Sequence, residues 1–364
     1  MRHTDLFYLL ALQKVEGIGD ATIKKLLFHC GSAESVFRTA RPILSKIDGV
    51  GSFRLRNIGN QAVFEQAERE LKFIESHNIQ TLFYEDDDYP FRLKHCFDGP
   101  VLLFANGNFD WNRKIISIVG TRRATRYGID MCHQLVADLA PLNPIVVSGF
   151  AFGIDIAAHQ AATENGLQTI GVLAHGFDEI YPRTHKKFVS QTLANGGFLT
   201  EFWSKTEPMR ENFLKRNRIV AGLSEATVVI ESAEKGGSLV TANIASDYNR
   251  EVFAVPGRSV DTLSRGCNNL IKSQKAIMLT DAADLVYHLN WDIKPKPKPV
   301  QQAMILLDER EQRVFDWLKT EGKSELDSIA LACNVTVSSL APMLLTMELK
   351  GAIRPLPGKR FEVI

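Results

Sequence analysis

The sequence predicts an α/β protein. At its centre is a doubly wound, mostly parallel sheet, with a small all-helical N-terminal domain before it and a winged-helix-like C-terminal domain after it. Three observations predict this. Short apolar runs alternate with helical stretches from about residue 81 to 292, the pattern of βαβ units. The first eighty residues show short helical segments only. Finally, Lys294-Pro-Lys-Pro-Lys-Pro-Val300 cuts off a tail of about 65 residues, long enough for a small domain. Alternating Pro and Lys makes neither helix nor central strand, because each Pro removes an amide donor. The expected division is therefore 1–80, 81–292, a stiff linker at 293–300, and 301–364.

Composition agrees. At about 150 residues per domain, 364 residues give two to three domains. An apolar fraction of 45% and a charged fraction of 23% exclude a disordered, collagen-like or coiled-coil chain. Forty-three Lys+Arg against 42 Asp+Glu leave a net charge of +1, so affinity for a polyanion has to come from local basic patches. The five cysteines, Cys30, Cys96, Cys132, Cys267 and Cys333, are scattered singly. They suggest no metal site and no disulfide framework. The apolar run Leu6–Leu12 is short and lacks a cleavage site, and no run approaches the roughly 18 apolar residues of a membrane span. A cytoplasmic, reducing location is expected.

In chain order, helices are expected at 4–14, 20–29, 33–38, 42–45, 52–56 and 60–77. Two junctions share an apolar-x-Gly-apolar-Gly pattern, Val15-Glu-Gly17-Ile18-Gly19 and Ile47-Asp-Gly49-Val50-Gly51. Paired glycines permit positive φ and expose amides at the start of the next helix, where a phosphate can bind. The unit resembles a helix-hairpin-helix (SAM-like) domain; a tight turn inside a small bundle explains the pattern equally well.

Buried parallel strands are expected at 115–119, 145–148, 169–173, 227–230 and 252–255, because each is a short continuous apolar run. Helices are expected between them near 126–140, 153–165, 184–194, 214–223 and 238–248. In such folds ligands collect outside the carboxyl ends of the strands, and the motifs fall there. Strand 115–119 runs into Gly120-Thr-Arg-Arg-Ala-Thr125, with five basic residues and no acid from Arg113 to Tyr127. This turn is an anion cradle. It has one glycine and two arginines where a dinucleotide site needs GxGxxG, so a nicotinamide cofactor is excluded. Strand 145–148 ends in Ser148-Gly-Phe-Ala-Phe-Gly153-Ile-Asp155-Ile-Ala-Ala-His159. Asp155 and His159 are read as a structural cap and a packed histidine, since no nucleophile joins them. Strand 227–230 leads to Gly236-Gly237-Ser238, a third cradle. Four of the nine residues from Arg210 to Arg218 are basic, and Phe213 lies among them. Cations tracking phosphates around an aromatic face suit single-stranded nucleic acid. Arg216 and Arg218 are expected to be partly structural, Arg210 and Phe213 to face the ligand.

Seven ordered blocks from about residue 80 to 290 resemble the DNA-processing protein A (DprA, or Smf) family. They are YPFRLKHCFDGPVLLFANG, IVGTRRAT, SGFAFGIDIAAH, TIGVLAHGFDEIYP, RNRIVAGLS, GGSLVTA and VFAVPG. The resemblance implies an extended Rossmann-like core that binds and protects single-stranded DNA. It also implies a homodimer through that core, and loading of the RecA recombinase in natural transformation, without enzymatic activity. Residues implied in DNA binding are Gly120, Arg122, Arg123, Ser148, Gly149, Phe150, Gly153, Arg210, Phe213, Lys215, Arg216, Asn217, Arg218, Gly237 and Ser238. Of these, Arg122 would hold phosphate, and Ser148, Gly149 and Gly153 would give close backbone or hydroxyl contacts.

The tail reads as three helices (309–321, 324–333, 337–350) and a basic β-like end at 353–363. With eight basic and nine acidic residues, it suits a protein contact at least as well as DNA. A competing reading is a nucleotide phosphoribohydrolase-like enzyme on the same fold. That family carries PGGxGTxxE, whereas the stretch from Lys235 to Asn243 has no acid and none appears before Asp247. General acid–base work lacks its carboxylate there.

Overall fold

Apolar residues three and four apart give the N-terminal helices one buried face each. The computed structural model, which describes residues 3–51, 55–291, 307–356 and 358–363, places them at α1 His3–Gln13, α2 Asp20–Cys30, α3 Ala33–Arg38, α4 Arg41–Leu44 and α5 Gln61–Ser76. Leu9, Leu10, Ile23, Leu26 and Leu44 fill the space between them. Gly17 and Gly49 take positive φ, 80° and 76°, as both hairpin patterns require. A helix follows the first hairpin directly. Of the helix expected at 52–56, residues 52–54 lie outside the described residues, and 55–59 form turns.

The chain then alternates: β1 Gln80–Phe83, α6 Phe91–Lys94, β2 Leu102–Gly107, β3 Ile115–Val119, α7 Arg126–Leu139, β4 Ile145–Ser148, α8 Ile154–Glu164 and β5 Thr169–Val172. After these come α9 Val189–Ala194, β6 Gly196–Thr200, α10 Arg210–Leu223, β7 Ala226–Val229, α11 Gly237–Asp247 and β8 Glu251–Ala254. The last are α12 Arg265–Lys272, β9 Ile277–Met278 and α13 Ala282–His288. One nine-stranded sheet results, in the order β1-β2-β6-β5-β4-β3-β7-β8-β9. Strands β6 to β9 are parallel, and β1 and β2 add an antiparallel edge. The expected doubly wound, mostly parallel sheet is present, and β3 is buried along its whole length.

Four strands of this sheet, β1, β2, β6 and β9, had no counterpart in the sequence pattern. Strand β6 opens with two glycines, a residue type depleted in strands. Here they are needed for close pairing: a Cβ on Gly197 would lie 2.2 Å from the Asn106 carbonyl oxygen of the neighbouring strand. Helix α10 starts at Arg210, four residues earlier than expected. The segment expected as one helix at 184–194 is a 3₁₀ stretch, Arg183–Phe188, followed by α9.

Strand β3 has β4 on one side and β7 on the other, so the connections leaving it diverge. That divergence opens a crevice at the carboxyl ends of β3 and β7. The chain divides into two compact units, Met1–Asp292 and Ile293–Ile364; the N-terminal helices and the sheet belong to the first.

In the second unit, α14 Glu309–Glu321, β10 Ser324–Glu325, α15 Leu326–Ala332, α16 Val337–Leu349, β11 Ile353–Leu356 and β12 Arg360–Val363 form the three helices and β-wing of a winged helix. Asp308 and Glu311 close a capping box at the start of α14. The linker expected at 293–300 lies outside the described residues. Among those described, no single helix is long and apolar enough to cross a membrane, and all five cysteines are free.

Candidate functional site

A cavity of about 740 Å³ occupies the crevice. Gly120–Arg123 after β3, Gly149 and Ala151 after β4, and the 232–238 loop after β7 form three of its walls. The fourth is one face of α10, where Arg210, Phe213, Leu214 and Asn217 recur at helical spacing. Five basic side chains line it, Arg122, Arg123, Arg210, Arg216 and Lys235, against one carboxylate, Asp155. A chain with a net charge of +1 thus concentrates positive charge in one concave place. Arg122, Arg123, Arg210 and Lys235 are exposed and make no ion pair among the described residues.

Phe213 is half-buried and surrounded by cations. The Arg122 guanidinium lies 4.9 Å from its ring centroid and that of Arg216 lies 5.9 Å away. The Tyr181 ring meets it edge-on at 5.7 Å.

The floor is rigid. Arg216 is 4% exposed and donates to the carbonyls of Gly149 and Val172. Asp155 Oδ2 accepts the Gly149 amide at 3.1 Å. The Gly149 residue is therefore clasped from both its amide and its carbonyl. Burial pulls the Arg216 guanidinium down to about 10, so it stays charged at neutral pH. Burial pushes the Asp155 carboxyl up, opposed by Arg216 and by the Ala151 and Gly149 amides.

Glu231 holds the loop after β3. Its backbone oxygen accepts the Thr121 amide at 2.7 Å. Its carboxylate accepts the Thr125 amide at 2.8 Å and the Thr125 hydroxyl at 2.6 Å. The Thr125 hydroxyl in turn accepts the Gly128 amide and caps α7. The third wall ends in the N-terminus of α11, whose first-turn amides favour an anion. There the Ser238 hydroxyl donates to that of Ser232 at 2.9 Å.

The cavity brings together ten residues expected at a site: Gly120, Arg122, Arg123, Gly149, Arg210, Phe213, Arg216, Asn217, Gly237 and Ser238. Five others do not line it. Ser148 is fully buried and donates to the Ile118 carbonyl at 2.6 Å, so its hydroxyl cannot meet a ligand. Phe150 has no exposed surface and packs against Leu173 and Phe198. Gly153, at φ 78°, keeps two loops in contact: a Cβ there would sit 2.1 Å from the Thr121 carbonyl oxygen. Lys215 turns away to pair with Glu201 at 3.1 Å. Arg218 faces the opposite side of α10, paired with Glu201 and with Asp20 of α2. Asp155 caps the loop before α8 rather than the helix's own first turn. His159 is packed as expected, with its Nδ1 2.7 Å from the Thr169 hydroxyl.

Lys235 and Leu263 line the cavity but were not singled out from the sequence. Lys235 had a visible signal, a cation next to Gly236-Gly237. Leu263 had none, since it lies six residues beyond the VFAVPG block in the loop after β8. The bracing role of Glu231 depends on a contact 106 residues away in sequence and leaves no local trace.

The family model for DNA recombination-mediator protein A matches residues 80–290, and that for the DprA winged helix domain matches residues 295–359. The chain is 34% identical to Protein Smf of Synechocystis over the full length of both. It is 35% identical to the DNA processing protein DprA of Bacillus subtilis, over 72% of this chain and 90% of that one. The X-ray structure of DprA from Streptococcus pneumoniae superposes with a TM-score of 0.65 at 31% identity, covering 77% of this chain and 97% of that one. A Helicobacter pylori DprA structure, described for its single-stranded DNA binding mode, gives a TM-score of 0.52 at 28% identity, covering 58% and 95%.

Proposed function

Because the chain belongs to the DNA recombination-mediator protein A (DprA/Smf) family, we propose that it binds single-stranded DNA in the cavity between α10 and the loops after β3, β4 and β7. One observation carries this reading: five cations and one half-buried aromatic ring converge on the same concave surface. Exposed arginines suit a phosphate backbone, and a ring held between guanidinium groups suits a base laid against it. The cations line a concave surface, whereas groove reading needs a helix or strand that projects into the duplex. The one lining carboxylate, Asp155, is already engaged by amides, which fits binding better than hydrolysis of a glycosidic bond.

We further propose, from the family resemblance, that the protein covers incoming single strands in the cytoplasm, acts as a homodimer through its Rossmann-like core, and passes the strand to the RecA recombinase. The winged helix suits a protein contact. Its α16 carries no basic residue and exposes Leu345 and Leu349, the opposite of a DNA-reading helix. An Arg122→Ala/Arg210→Ala double variant tests the site. It should retain its fold and lose at least about tenfold in single-strand affinity, as expected for two lost phosphate contacts. Undiminished affinity would place the DNA elsewhere.

A further inference from the structure

Resting on that reading, we propose that the bound strand leaves the first cavity past Leu263 and enters a second one. There Tyr127 stacks a base and Arg258 holds a single phosphate. The second cavity, about 680 Å³, is lined by Thr125, Tyr127, Arg258 and Leu263 among others. Leu263 lines both cavities, so the two share a wall.

The second cavity is a built surface. Tyr127 keeps half of its area exposed, at 50%, while its hydroxyl donates to the Pro256 carbonyl at 2.8 Å. That bond anchors the ring edge and leaves exposed ring surface for stacking. The loop carrying Arg258 is fixed by a reciprocal pair: the Gly257 amide donates to Asn268 Oδ1 at 3.1 Å, and Asn268 Nδ2 donates to the Gly257 carbonyl at 2.9 Å. Of the two arginines lining this cavity, Arg126 is paired with Asp130 at 2.9 Å. Arg258 is exposed and makes no ion pair among the described residues. Of the two acids, Glu231 is engaged by Thr125, which leaves only Asp261 to oppose Arg258. With Arg126 and Glu231 already engaged, the Arg258 guanidinium beside the exposed Tyr127 ring offers one phosphate contact and one stacking face, fewer than the strongly cationic first cavity.

Titrating the full-length protein with oligothymidylates from about two to about twelve nucleotides separates the two cavities. Arg258→Ala should match the wild type on the shortest strands that bind. Above a threshold length it should bind more weakly, with a salt slope shallower by about 0.7. Tyr127→Ala should lose about five- to a hundredfold on the same longer strands only, and Tyr127→Phe should restore most of it. If both alanine variants match the wild type at every length, or lose equally at every length, the second subsite is wrong while the first stands. Failure of the wild type to bind any length would instead overturn the functional reading beneath it.

Discussion

The Arg122 guanidinium and the Phe213 ring face each other across the cavity, 4.9 Å from charge centre to ring centroid. The arginine comes from the loop after β3 and the ring from the first turn of α10, so the contact joins two walls. Under the proposed function the two have different tasks: the arginine would hold a phosphate, and the ring would present a stacking face.

Those tasks separate by salt dependence. Arg122→Ala should weaken single-strand binding and flatten the plot of log K against log salt by about 0.7. Phe213→Ala should cost about 1–3 kcal/mol with the slope nearly unchanged. Phe213 is half-buried, so its truncation should leave the melting temperature close to that of the wild type. Binding isotherms at several salt concentrations check both.

Glu231 acts on the site at one remove. Glu231→Ala removes the acceptor of the Thr125 amide and hydroxyl, so the loop carrying Arg122 and Arg123 loosens. Affinity should fall about tenfold, alongside a stability loss of about 1–3 kcal/mol from the unsatisfied donors. Unchanged affinity in the folded variant would show that the loop holds its shape without this brace.

Arg218 calls for the opposite pattern. It is buried against Glu201 and Asp20 and points away from the cavity. Arg218→Ala leaves the buried Glu201 with Lys215 as its remaining cation and takes a partner from Asp20, and should cost about 1–3 kcal/mol of stability in urea unfolding. Single-strand affinity of the folded protein should stay within about twofold.

His159 makes stability depend on pH. Burial, with His185 and Arg216 nearby, pulls its imidazole down to about 3, against about 6.5 in an unfolded chain. Below about pH 6.5 the unfolded state takes a proton that the folded state refuses, so this contribution is full above that pH and is lost as pH falls toward 3. His159→Gln should therefore shrink the stability difference between pH 7 and pH 5 by about 2 kcal/mol. An unchanged difference in urea unfolding would mean that the imidazole titrates normally.

Much of this was legible in the sequence because the signals were local. Strands β3, β4, β5, β7 and β8 are short, largely apolar runs, and each cradle loop carries glycine and ends at a helix. Strand β6 was hidden by Gly196-Gly197, glycines demanded by strand pairing although the residue type is depleted in strands. Within the site, residue type marked Arg122, Arg210 and Phe213 well. It did not separate Arg216 from Arg218, which differ by two positions and so lie on opposed faces of α10. Burial likewise turned Ser148 and Phe150 inward, although their loop does reach the cavity. Leu263 was out of reach, since only the folding of the loop after β8 brings it to the site.

The central claim is that the cavity binds single strands through phosphate contacts and stacking. It is tested most directly by titrating the protein with a single-stranded oligonucleotide and with the matching duplex, each at two salt concentrations. The account predicts tighter binding to the single strand at both, and weakening as salt rises in proportion to the phosphates contacted. Equal or tighter binding to the duplex, or single-strand affinity indifferent to salt, would contradict it.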